Sequence, residues 1–172
     1  MRYRWPAFFI FLTLILAFQI SFLANFKISA NFNLVLVILV LFVFLADFKK
    51  SLAVSLWSGL IFDLYSPLPF GIFLFSFAAS FIILEFLLQN FFTNRSFYSL
   101  IFLGLFGAAV YHLIFLIASG LIYLIGGSEF LPTASYWYLF LGQIVTTVFL
   151  LAICYSLIDK ISKRFKPMFL GR

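Results

Sequence analysis

Apolar positions fall along this chain in six runs separated by short polar or turn-forming breaks: Trp5–Ala24, Asn33–Ala46, Ser51–Ser66, Phe70–Phe92, Phe97–Ile125 and Trp137–Ile158. Most approach the ~20 residues that carry a helix across a bilayer, so the pattern predicts six membrane helices. The second and third are short and are separated only by Asp47-Phe48-Lys49-Lys50, which leaves open a single bent hairpin that fails to cross twice. The fifth exceeds a perpendicular crossing and must tilt or project.

Charge decides between these layouts. With six crossings and an internal N-terminus, Arg2, Arg4, Lys49, Lys50, Arg95, Lys160, Lys163, Arg164, Lys166 and Arg172 share the cytoplasmic side, and only Lys27 among the 11 Lys and Arg lies outside. That is the asymmetry of the positive-inside rule; five crossings would split it. Both termini are therefore expected in the cytoplasm, with a basic tail over residues 159–172. The N-terminal run is longer than the roughly 7 to 15 residues of a signal-peptide core, and Phe22-Leu23-Ala24-Asn25 is a poor cleavage site, so it counts as the first helix.

Composition fits one membrane domain over 1–172 with no room for a soluble one: 66% of residues are hydrophobic, 9% charged, and the mean hydropathy is +1.22. The formal charge of +6 would point to nucleic acid in a soluble protein, but these basic residues sit at segment ends. No nucleic acid is expected. Cys154, the single cysteine, has no partner for a disulfide or a metal, and no cofactor is expected.

Chemistry is confined to the few polar positions inside the apolar runs. In the third run Ser51, Ser55, Gly59 and Asp63 recur every four residues, a stripe of small side chains that lets another helix approach closely. Packing within the bundle is the favoured use of the stripe, and an exposed face for a second copy is the alternative. Asp63 costs roughly 2.5–3.5 kcal/mol if unpartnered near the bilayer centre. The C-terminal end of its own helix also repels it, so it must find a donor. His112 lies at a similar estimated depth and is one candidate; Gln143 and the backbone N–H groups of the turn Ser66-Pro67-Leu68-Pro69-Phe70-Gly71 are the others. Ser66 is placed to cap the fourth helix with Pro67 at its first position. Glu85 is expected to snorkel or to meet Lys49 or Lys50. Gln143, Thr147 and Cys154 share a face of the sixth helix, and Gly104 and Ala108 form another small pair on the fifth. No paired aspartates, H-E-x-x-H unit or activated serine is present, which argues against an enzyme and leaves catalytic and metal sites unassigned.

The stretch Gly59-Leu-Ile-Phe-Asp63-Leu-Tyr-Ser-Pro-Leu-Pro69-Phe-Gly71, after a short helix that follows a basic turn, resembles the signature of the MreD family of rod shape-determining membrane proteins. That signature is a G-x-x-x-D unit, a Pro-containing turn and a glycine opening the next helix. Asn33 and Leu34 match the family's P-N-L-like entrance to the second helix, with Phe32 in place of the proline. The resemblance implies an all-α bundle of six transmembrane helices, similar in fold to the S components of energy-coupling-factor transporters. It implies a non-enzymatic scaffold of the bacterial elongation machinery in the cytoplasmic membrane. The partners so implied are MreC and, through it, RodA, a penicillin-binding transpeptidase and MreB, with the stripe and turn receiving the MreC helix. The runner-up is a vitamin-binding S component, against which the short, nearly uncharged outer loops speak.

Overall fold

A computed structural model describes residues 4–21, 32–92, 96–125 and 134–169. The expected outer loop with Lys27, residues 126–133, and Arg2, Arg95 and Arg172 lie outside them.

The described residues form six helices and no strand: α1 Arg4–Ser21, α2 Leu34–Leu45, α3 Phe48–Tyr65, α4 Ile72–Phe91, α5 Phe97–Leu124 and α6 Ala134–Phe169. Three stretches, Ile72–Phe91, Phe97–Leu124 and Tyr136–Ile158, are long and apolar enough to cross a membrane, the mark of a helical membrane protein. α2 has 12 residues and rises only about 18 Å. It is the centre of the bundle, packing on all five other helices. Val35, Leu39 and Val40 are almost fully enclosed. An element of Leu, Val, Ile and Phe suits that place because it has no side-chain polar group to satisfy. Sequence neighbours α3–α4, α4–α5 and α5–α6 pack against one another, while α1 lies on α2 and α3. Trp57 of α3 ties α1 down, donating to Thr13 at 3.0 Å and packing on Phe9.

Helix ends depart from the sequence pattern for local reasons. α3 begins at Phe48, earlier than Ser51, because the Asp47 carbonyl accepts from Lys50 and Ser51 and turns the basic break into a first helical turn. Ser51 then closes the α2–α3 corner by donating to the Phe42 carbonyl at 2.8 Å. α6 does not end at Ile158; its backbone stays helical through the basic segment to Phe169.

Ser66 does not cap α4. Two prolines follow it, and a residue before proline is pushed out of the α region, so Ser66 is extended and the chain bends at Pro67 and Leu68 and turns at Phe70 and Gly71 before α4 starts at Ile72. Ser66 instead closes α3 and accepts from Leu68 N–H at 3.0 Å. A true cap stands at Ser96, which accepts from Ser99 N–H while the Ser99 hydroxyl accepts from Ser96 N–H. Ser96→Ala is expected to cost about 1 kcal/mol. Ser66→Ala should cost less than half of that, measured by reversible unfolding in bicelles; the reverse order would refute the assignment.

Candidate functional site

At Gly59 the backbones of α3 and α4 are in close contact. A Cβ built on it would stand 2.6 Å from Leu74 Cα and 3.1 Å from the Phe73 carbonyl oxygen, so only hydrogen fits there. One turn further along the same stripe, the Asp63 carboxylate accepts from Phe73 N–H through Oδ1 and from Leu74 N–H through Oδ2, each at 2.9 Å. Asp63 is 5% exposed. The first turn of a helix has N–H groups with no partner in the helix, and α4 has no side-chain cap at its own N-cap residue, Gly71. Asp63 supplies what is missing from another helix. Its negative charge also meets the positive end of the α4 dipole, which offsets its place near the C-terminus of α3.

The turn delivers those N–H groups. Pro67 and Pro69 stiffen it, and Gly71 takes φ +104°, a left-handed conformation that side chains other than glycine rarely adopt. The Gly71 carbonyl accepts from Phe75 N–H and starts the helical ladder. Gly59, Asp63 and Gly71 therefore act as one joint: a close approach, an acceptor and a backbone reversal.

Asn33 does for α2 what Asp63 does for α4. Its Oδ1 accepts from Leu36 N–H at 3.1 Å, and Gln19 of α1 reaches across to accept from Val35 N–H at 3.2 Å. Tyr111 of α5, also buried, lies beside both Asn33 and Asp63 and packs tilted against Phe77, with ring centroids 4.8 Å apart. Two helix N-termini are thus anchored by buried side chains around a single tyrosine.

His112 is not the partner of Asp63. Both Asp63 oxygens are taken by backbone donors, and the imidazole points instead toward α6. Its Nδ1 lies 3.1 Å from the Tyr136 hydroxyl, its ring meets Phe140 edge-on, and Gln143 faces it. Of the proposed network Asp63–His112–Gln143, the structure brings together the last two alone. Depth along the bundle favours an Asp63–His112 pair, but the neighbouring Tyr111 is the residue that lies beside Asp63.

The other singled-out positions serve packing inside the chain. Ser51, Ser55, Gly59 and Asp63 are covered, so the stripe is not a receiving surface for a second protein. Ser55 and Ser58 are buried with hydroxyls that find no partner among the described residues, which makes their small size the property in use. Gly104 lies against Leu151 of α6, and Ala108 is fully enclosed. Glu85 accepts from Gln89 at 2.9 Å and makes no ion pair with Lys49 or Lys50; Lys50 pairs with Asp47. Among the described residues no three metal-ligating side chains converge.

Sequence reasoning missed Gln19, Tyr111 and Tyr136. A glutamine in the middle of an otherwise apolar run was the available signal for the first. The two tyrosines were hidden among the many aromatics of the chain. No protein-family model matches the chain, and no curated protein or solved structure does.

Proposed function

We propose that this chain is a non-enzymatic membrane scaffold of the MreD kind. It would cross the bacterial cytoplasmic membrane six times with both termini inside, as a single membrane domain. Its partner would be MreC, and through it the cell-elongation machinery of RodA, the penicillin-binding transpeptidase and MreB. The observation that carries the reading is the joint built by Gly59, Asp63 and Gly71. These residues, which bear the resemblance, act on one another's helices, and Asp63 is spent on backbone N–H groups instead of being offered to a substrate. Such a joint suits a rigid support. Since the small stripe is buried inside the bundle, the MreC helix must dock on another surface.

A second reading, a vitamin-binding S component, draws on the polar groups of His112, Tyr136 and Gln143 between α5 and α6. Affinity purification from native membranes separates the two. The scaffold reading predicts recovery of a protein with one membrane helix followed by a coiled coil. Recovery of energising ATPase subunits or a bound vitamin, without such a protein, would contradict it.

A further inference from the structure

The helices of the bundle do not all reach equally far. α4 has 20 residues and rises about 30 Å, the full hydrocarbon thickness, and α5 is longer still. At the end where α4 leads into α5, the corner between α2 and α3 stops short of both. Two registers place it. Val40 of α2 and Leu84 of α4 both close on Gly107 of α5, and α2 runs from there toward the start of α5. Gly107 stands about 15 Å along the helix from Phe97, whereas α2 has only about 8 Å left before it ends at Leu45. The ring of Phe48, which opens α3, packs on Phe81 with centroids 5.1 Å apart, and Phe81 lies about 15 Å before the end of α4 at Phe91. The α2–α3 corner is therefore recessed by roughly 8 to 15 Å.

α4 changes character at the same height. Its side toward α3 holds Leu74, which Gly59 approaches, and Phe81, which Phe48 covers. Steps of four residues from Phe81 lead along that side to Glu85 and Gln89, below the point where α3 begins. There the Gln89 amide donates to the Glu85 carboxylate at 2.9 Å. The corner itself carries Asp47, Lys49 and Lys50, all exposed. In a flat bilayer of full thickness these charges would stand in hydrocarbon, where ionisable groups are costly and are met by local thinning and water.

We propose that the leaflet on this side dips to the α2–α3 corner, so that phospholipid headgroups and water fill the recess, with phosphates beside Lys49 and Lys50 and water at Glu85 and Gln89. The two lysines complement lipid phosphate, whereas an apolar helix docked in the recess would strip all of these groups of water. The dip thins the bilayer on one side of the protein and gives it a preference for thin or bent membrane. It rests on α4 and α5 crossing the membrane and is independent of the scaffold reading.

The test compares two positions at one height on different sides of the bundle. Leu105 is exposed on α5, about 12 Å along the helix from Phe97, and matches the height of Lys49. The full chain carries K49C or L105C, each with C154S to remove the native thiol, and monodisperse gel filtration confirms that both variants fold. Each is labelled with a nitroxide and placed in nanodiscs of phosphatidylethanolamine and phosphatidylglycerol. Power-saturation EPR then reads accessibility to a water-soluble nickel chelate and to oxygen. The ratio of nickel to oxygen accessibility at K49C should exceed that at L105C by at least about fivefold. In native membranes opened to both sides, a membrane-impermeant maleimide should label K49C and spare L105C. An oxygen-dominated signal at both positions would overturn the proposal, because the bilayer would then be flat. Nickel access at both would also overturn it, because this end of the bundle would then stand outside the hydrocarbon. Protection of K49C from maleimide in native membranes, with full labelling in nanodiscs, would overturn it by assigning the recess to a protein partner.

Discussion

Asp63→Leu is expected to lower the stability of the folded protein by about 4 kcal/mol. A hydrogen bond to a charged group contributes about 1.5–3 kcal/mol, and a buried donor left without a partner costs about 1–3 kcal/mol. Asp63 holds two such donors, Phe73 and Leu74 N–H, at 2.9 Å. Leucine removes both acceptors, and α4 has no other side-chain cap to replace them. Asp63→Asn keeps the shape and one acceptor oxygen, so about half of the loss should remain. His112→Leu is expected to cost less than Asp63→Leu and to add to it independently, because the two residues serve different helix contacts. Reversible unfolding in bicelles reads all three. Asp63→Leu within about 1 kcal/mol of wild type would mean that the Asp63 bonds do not hold α4.

Gly59→Ala is expected to cost about 3 kcal/mol, an unusual penalty for a single methyl group. The new Cβ meets the backbone of Leu74 at 2.6 Å, and a helix backbone cannot rotate aside as a side chain can. Overpacking costs about 1–3 kcal/mol by itself. Moving α4 outward also stretches the two bonds to Asp63, one turn along α3. The comparison is Gly104→Ala, where the added methyl meets only the end of the Leu151 side chain. That side chain is buried but can shift where a helix backbone cannot, so the cost should stay below that of Gly59→Ala. Gly59→Ala and Asp63→Asn combined should fall short of the sum of the two, since the first already damages what the second removes. Equal penalties at Gly59 and Gly104, or strict additivity with Asp63, would separate the close approach from the acceptor and break the account of the joint.

Six helices were legible in the sequence because hydrophobic runs of this length have few other ways to satisfy their backbone in lipid. The ends were harder to read. α3 gains its first turn from the Asp47 carbonyl, a group that leaves no mark in the sequence, and α6 keeps its helix through a charged segment that hydropathy assigns to a tail. The importance of Gly59, Asp63 and Gly71 was visible as a motif, and the need of Asp63 for a donor followed from the cost of burying it. Which donor it takes was not decided. The two N–H groups belong to Phe73 and Leu74, residues whose side chains advertise nothing polar. A rise of 1.5 Å per residue placed His112 at the right height, but height fixes nothing about the direction around a helix axis. One residue is a rotation of about 100°, and that is the difference between Tyr111, beside Asp63, and His112, against Tyr136.

The anchoring of α4 by Asp63 is tested most directly at the two amides it holds. Hydrogen exchange at Phe73 and Leu74, followed by NMR in nanodiscs, compares wild type with Asp63→Asn and uses the amide of Ser99, held by Ser96, as an internal standard. Protection should fall at least about tenfold at whichever of the Phe73 and Leu74 amides loses its acceptor in the variant, the equivalent of about 1.4 kcal/mol, while protection at Ser99 stays the same. Unchanged protection at both amides would contradict the account.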